Sequence, residues 1–195
     1  MERALYHSLA ALLSYPDEHT LDYCHSERSE ESASQPLIGI RQSAIASELS
    51  WFGEAVGSLS LHQLQELFIQ TFDLSPVCSL EMGWHLFGEN YDRGLLLVKL
   101  RQQMCAHGVA ETTELPDHLT NGFRLLARME RHAGAYFAEA IVLPALAKML
   151  EALRGKNNPY EHALKAARLA VRADFPEIPA QLAIPQADTG LKVLA

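Results

Sequence analysis

Apolar residues recur along this chain at intervals of three and four, the spacing that lines one face of an α-helix. Leu5, Leu9 and Leu12 form a first stripe between Arg3 and Ser14, which ends before Tyr15-Pro16-Asp17 because proline disfavours helix at the residue before it. Asp17 is placed to cap a short second helix through Leu21. Helical spacing returns over 38–56 with Ile45, Leu49 and Phe52, and Gly57 offers a stop. The clearest helix follows: Ser60 as cap, then Leu61, Leu64, Phe68 and Phe72, ended by Asp73-Leu74-Ser75-Pro76. From Ser79 to Gly88 a helix would carry Leu80, Trp84 and Phe87 inward, and past a polar connection (89–94) another runs through Leu97, Leu100 and Met104 to Gly108. Leu115-Pro116-Asp117-His118 reads as a break and a cap before Leu119, Phe123 and Leu126. Phe137 and Ile141 begin a stripe that Pro144 interrupts and Leu146, Leu150 and Leu153 resume, which predicts a kinked or restarted helix. Asn158 is placed to cap the last helix, with Tyr160, Leu164, Ala167 and Val171 on its buried face.

Two stretches break the rhythm. Residues 24–36 carry no large aliphatic or aromatic side chain, leaving nothing to offset the entropy of ordering, so a mobile loop or an insertion is expected. Pro176, Pro179 and Pro185 make the end of the chain an extended tail. No segment alternates convincingly with period two and the β-branched content is low, so a sheet has little support. The expected architecture is all-α: a single-domain bundle of roughly seven to nine helices over residues 1–172, with the loop at 24–36 and the proline-containing tail at 173–195.

Composition narrows the function. A 195-residue chain that is 48% hydrophobic can bury a full core. The first residues meet charge and polarity before any apolar run, and no uninterrupted apolar run approaches a membrane span, so a cytoplasmic protein is expected. Cys24, Cys78 and Cys105 are odd in number and widely spaced, fitting neither a disulfide framework nor a zinc knuckle. The net charge of −8 opposes wrapping nucleic acid. From Gln42 to Asp92 there is no lysine or arginine, while Glu48, Glu54, Glu66, Asp73, Glu81, Glu89 and Asp92 are acidic; thirteen of the sixteen basic residues follow, starting at Arg93. Such a field suits a basic peptide, and equally describes a solvated acidic face.

Candidate chemistry is sparse. There is no glycine-rich phosphate loop, no GxSxG elbow and no HExxH pair, so no catalytic residue is assigned. None of the nine histidines pairs with another at i+3 or i+4, so no metal site is assigned either. Asp117 and His118 are adjacent and point in different directions at a helix start, which favours an aspartate cap with a first-turn histidine over an acid–base dyad. Lys165, Arg168 and Arg172 form a basic stripe that could meet an acidic partner, or simply sit near a helix C-terminus. Trp84, His85, Phe87 and Tyr91 cluster beside Asp73, Glu81, Glu89 and Asp92. That is the composition of a groove for a basic amphipathic peptide, or of core aromatics flanked by solvated acids.

The run Leu64-Gln65-Glu66-Leu67-Phe68-Ile69-Gln70-Thr71-Phe72-Asp73-Leu74-Ser75-Pro76, then His85-Leu86-Phe87-Gly88-Glu89 and Arg93-Gly94, resembles the signature region of the NarJ family. These are assembly chaperones of respiratory nitrate reductase within the wider TorD/DmsD group. Leu12-Leu13-Ser14-Tyr15-Pro16-Asp17-Glu18 and Glu114-Leu115-Pro116-Asp117-His118-Leu119 are similar to flanking family segments, and the likeness runs to about Leu164. The stretch 24–36 fits no pattern of that family.

The resemblance implies a TorD-like all-helical fold and no cofactor or catalysis of the chain's own. It implies a partner, the apo catalytic α subunit of nitrate reductase. The chaperone would hold that subunit's N-terminal, twin-arginine-like peptide and keep the enzyme competent for molybdenum cofactor insertion until membrane docking. Carried over residue by residue, the matching positions are Glu66, Phe68, Phe72, Asp73, Leu74, Pro76, His85, Phe87, Gly88, Arg93, Pro116, Asp117 and His118. Among the candidate contacts, Asp73 and Asp117 would meet the peptide's cations, with Trp84, His85, Tyr91 and His118 beside them. Cofactor-delivery proteins are further conceivable partners. The competing expectations are a chaperone for another molybdoenzyme of the same superfamily, a hydrolytic or nucleotide site near Asp117 and His118, and a helical adaptor whose stripe at 165–172 touches nucleic acid.

Overall fold

The computed structural model describes residues 3–18, 20, 36–74 and 76–176. The expected loop at 24–36, apart from the helical backbone that begins at Pro36, and nearly all of the expected tail lie outside the described residues. Among the described residues there are nine α-helices and no strand, only one isolated bridge. They are α1 (Arg3–Leu12), α2 (Pro36–Val56), α3 (Leu61–Phe68), α4 (Met82–Phe87), α5 (Tyr91–Ala106), α6 (Leu119–Leu126), α7 (Arg131–Phe137), α8 (Leu143–Leu153) and α9 (Tyr160–Asp174). The all-α expectation is met.

Helix ends follow local chemistry. Ser60 accepts from the Gln63 amide while the Gln63 side chain accepts from the Ser60 amide, a reciprocal capping box. Asp17 and Thr20 exchange the same kind of bonds. Gly88 and Gly108 take positive φ at the ends of α4 and α5, where a side chain would be strained. Asn158 accepts from the Tyr160 amide at the start of α9.

The core is built around α6 and α9. Leu119 through Phe123, Leu125 and Leu126 are all buried, so α6 is surrounded on every side, with α1 packed against it. The Tyr6 ring of α1 stacks on Phe123, and its hydroxyl donates to Asp174 at the end of α9. α9 presents Ala163, Ala166, Ala167 and Ala170 as buried small residues, which let α2 lie close along it. Phe52, Phe68, Phe72 and Tyr160 join α2, α3 and α9 through edge-to-face and tilted ring contacts, with centroids 4.9–5.8 Å apart.

Two helices contain a wide, five-residue turn. After α3 the turn Ile69–Asp73 closes with the Leu74 amide on the Ile69 carbonyl at 2.9 Å. Between α7 and α8 the turn Ala138–Val142 sits just ahead of Pro144. Proline has no amide to give and crowds the carbonyl four residues back, so the widened turn absorbs it without ending the helix. The resulting span Arg131–Leu153 has the length and apolar composition of a membrane-crossing helix, yet Phe137, Ile141, Val142, Leu146, Met149 and Leu153 are buried in the core. Of the cysteines, Cys78 is buried and Cys105 exposed, both free; Cys24 lies outside the described residues.

Candidate functional site

One departure from the expected pattern builds the site. The helix expected from Ser79 begins only at Met82, because Glu81 is extended and bridges to His118, in the segment ahead of α6. The Met82 amide donates to the Asp117 carbonyl and the Leu119 amide to the Leu80 carbonyl, both at 2.8 Å. Two glycines permit this crossing. A Cβ on Gly83 would stand 2.6 Å from Asp117 Oδ2, and one on Gly122 would stand 2.8 Å from Met82 Cε.

Asp117 is 0% exposed and takes its charge partner from α5: Arg93 Nε donates to Asp117 Oδ2 at 2.9 Å. Its other oxygen, Oδ1, has no hydrogen-bond partner among the described residues. Burial pushes the Asp117 carboxyl above its ordinary value, against Arg93, which pulls it down. The Arg93 guanidinium also lies over the Trp84 ring, 5.8 Å from its centroid. Trp84 Nε1 donates to the Pro76 carbonyl at 2.8 Å, and the His85 ring bonds the Ser79 carbonyl at 2.7 Å. Burial lowers the His85 pKa.

The cap of α6 is His118, one residue beyond the aspartate expected there. Its Nδ1 accepts from the Thr120 amide and lies 2.8 Å from the Thr120 hydroxyl, which places the ring proton on Nε2, 3.9 Å from Glu114. Burial holds His118 down at a pKa of about 4, so the imidazole is neutral at physiological pH. One ring nitrogen of His118 thus serves as a cap, and one oxygen of the carboxylate beside it is bound to Arg93.

Outside this buried framework lies an acidic rim. Burial and the Glu81 charge raise the Asp73 pKa; burial, Asp73 and Glu81 raise that of Glu114. The three carboxylates are therefore within electrostatic reach of one another, although they come from three separate stretches of chain. Exposed apolar residues stand next to them in sequence: Leu74 (73%) follows Asp73, Leu115 (47%) follows Glu114, and Val77 (58%) lies on the loop whose Pro76 carbonyl holds Trp84. Arg124, hydrogen-bonded to Asn121, is the cation that acts on Glu114.

The sequence-derived candidates thus separate. Pro76, Trp84, Arg93, Asp117 and His118 are tied into one framework, with His85 bonded to Ser79 beside it. Asp73, Leu74 and Tyr91 are exposed. Phe72 lies in the core and Phe87 is half-buried against it. Glu66 is exposed on α3, accepting from Gln70. Glu81, named from sequence among the acids of the aromatic cluster, joins the candidate surface, and so do Glu114, Val77 and Leu115, which were not singled out; Glu114-Leu115 stood in the family-like segment, which was the available signal. The basic stripe of α9 is largely neutralised: Lys165 pairs with Glu161 at 2.9 Å and Arg172 with Glu139. Among the described residues no group of three His, Cys, Asp or Glu is placed to hold a metal.

Comparison with known proteins gives two findings. Residues 40–166 match the family described as nitrate reductase delta subunit. A 113-residue segment is 34% identical to the protein named "Probable nitrate reductase molybdenum cofactor assembly chaperone NarJ" of Bacillus subtilis (strain 168); it covers 57% of this chain and 58% of that relative's length.

Proposed function

Since the chain belongs to the nitrate reductase delta subunit family, we propose that it is an assembly chaperone of a respiratory nitrate reductase. It holds the apo catalytic α subunit, including that subunit's N-terminal peptide, in a state competent for molybdenum cofactor insertion, and releases it for membrane docking. It works in the cytoplasm, uses no cofactor of its own and catalyses no bond change. The relative's name, with its assembly role, supports the partner.

The observation that supports the peptide site is that Asp73, Glu81 and Glu114 act on one another while Leu74 and Leu115, next to Asp73 and Glu114 in sequence, and Val77 are exposed. An amphipathic basic helix buries its apolar face on the leucines and valine and sets its cations against the carboxylates. Trp84 and Tyr91 extend the apolar side. Asp117 contributes from beneath, by holding Arg93 against Trp84, while its own carboxylate stays out of reach of a peptide unless Arg93 moves.

Calorimetry of the full chain with a synthetic peptide of the α subunit's N-terminal segment tests this. Binding is expected at low salt, weakened by about ten-fold in Asp73→Lys, the scale of a reversed rim charge acting with its neighbours. Absence of binding by the folded protein at low salt refutes the peptide site. Co-purification with a tagged chain tests the partner, and recovery of a different molybdoenzyme subunit would reassign it.

A further inference from the structure

The wide turn Ile69–Asp73 ends at the two residues that the proposed peptide site needs most, Asp73 and Leu74. Its closing bond runs from the Leu74 amide to the Ile69 carbonyl, five residues back. Had the Leu74 amide bonded to Gln70 as in an α-helix, the chain would leave the helix about 100° away around the axis. The choice of turn therefore sets where Leu74 and the following Pro76–Val77 segment point.

Two side chains hold that choice. The Thr71 hydroxyl, buried to 5% exposure, donates to the Leu67 carbonyl at 2.6 Å, a back-bond four residues long of the kind that bends helices. The same hydroxyl accepts from Asn158 Nδ2 at 2.8 Å, across 87 residues of sequence. Asn158 cannot turn away, because its Oδ1 accepts from the Tyr160 amide at 2.9 Å. Asn157, at φ 53°, turns the chain into this position. Tyr160 packs its ring on Phe68 and Phe72, on both sides of Thr71 in sequence. The start of α9 thus grips the wide turn by a hydrogen bond and edge-to-face ring contacts together.

We propose that Thr71 and Asn158 are positioning residues, a polar brace from the start of α9 that fixes the wide turn and so the direction in which Asp73 and Leu74 meet the partner peptide. Neither residue touches the peptide. The proposal rests on the peptide-binding reading above for its functional consequence, while the brace itself is a statement about the turn.

The test uses the full chain with Thr71→Val, Thr71→Ser, Asn158→Ala and the double variant Thr71→Val/Asn158→Ala. Valine keeps the branched shape and removes both hydroxyl bonds; serine keeps the hydroxyl. Two readouts are taken: amide hydrogen exchange over residues 69–74, and calorimetric affinity for the same synthetic N-terminal peptide. Thr71→Val is expected to speed exchange at Asp73 and Leu74 and to weaken the peptide about ten-fold, the scale of one lost buried hydrogen bond and its orphaned partner. Thr71→Ser should restore both. The double variant should lose less affinity than the product of the two single losses, because the two substitutions share the Asn158–Thr71 bond. Wild-type binding that Thr71→Val leaves unchanged, or losses that multiply in the double variant, overturns the brace and leaves the peptide site standing. If the wild type binds no peptide, the peptide site falls. Exchange alone then decides the brace: unchanged rates in Thr71→Val overturn it, and faster rates rescued by serine uphold it. Should Thr71→Val fail to fold, Asn158→Ala, which also gives up its bond to the Tyr160 amide, carries the same comparison.

Discussion

Gly83 shows how narrowly single residues set this site. Its missing side chain leaves room for Asp117 Oδ2, which a Cβ would meet at 2.6 Å, with Arg93 Cγ and Leu96 Cδ2 at 3.1 Å. Gly83→Ala should lower stability by about 2–3 kcal/mol, the range for overpacking that also disturbs a buried ion pair. Gly94, on the exposed side of α5, has nothing within 4 Å of its Cβ position. Gly94→Ala should instead raise stability by about 0.5–1 kcal/mol through helix propensity alone. Urea denaturation of the two variants reads opposite signs from the same substitution. Arg93→Ala, which strands the Asp117 carboxylate at 0% exposure, should cost about 3 kcal/mol. His118 adds a pH dependence. Its folded pKa of about 4 lies below the ordinary 6.5, so between those values the unfolded chain binds a proton that the folded chain refuses, and stability falls as pH drops through that window. The contribution is on the order of 3 kcal/mol across it. Asp73, Glu114 and Asp117, whose pKa values are raised, act in the other direction, each costing stability once ionised. His118→Asn keeps a capping acceptor and removes the titration, so its melting temperature should fall less between pH 6.5 and 4.5 than the wild type's.

At the scale of elements, the sequence was most legible where one helix could be read alone. Ser60 with Leu64, Phe68 and Phe72 announced α3 because cap and stripe are local, and the capping box is present; Ser60→Ala should lower the thermal midpoint, at a cost of about 1 kcal/mol. Pro144 announced an interrupted helix, and the structure supplies the form of the interruption, a widened turn placed just before the proline. What local pattern could not show is pairing across the chain. Leu80 and Glu81 read as helix by spacing, yet a partner 37 residues further on draws Glu81 into a bridge; tertiary pairing overrides propensity over so short a segment. Asp117 read as a cap because aspartate is a good one. Arg93, on another helix, claims its carboxylate, and His118 takes the capping bond. The acidic rim was half legible: Asp73 stood in the base-free run, but Glu114 belongs beside it only because that bridge folds the two stretches together.

Over the whole molecule, charge separates into two regimes. Several cations after residue 92 are paired with carboxylates: Arg93 with Asp117, Arg101 with Glu111, Arg154 with Glu151, Lys165 with Glu161 and Arg172 with Glu139. The carboxylates at Asp73, Glu81 and Glu114 instead act on one another, raising the pKa values of Asp73 and Glu114, with Arg124 opposing that rise at Glu114. Two explanations of salt-sensitive binding then compete: attraction by the net charge of −8, or by this trio. Asp73→Lys and Glu54→Lys change the net charge equally, and Glu54 is exposed near the C-terminus of α2, where a lysine is well tolerated. If the whole-molecule field governs, both variants weaken the peptide alike, since a field summed over all charges does not register which one changed. If the trio governs, Asp73→Lys weakens it about ten-fold and flattens its dependence on salt, while Glu54→Lys stays within about two-fold of the wild type, because Glu54 is not among the charges that act on Asp73 and Glu114. Calorimetric titrations of both variants at two salt concentrations separate these cases, and the local outcome is the one expected.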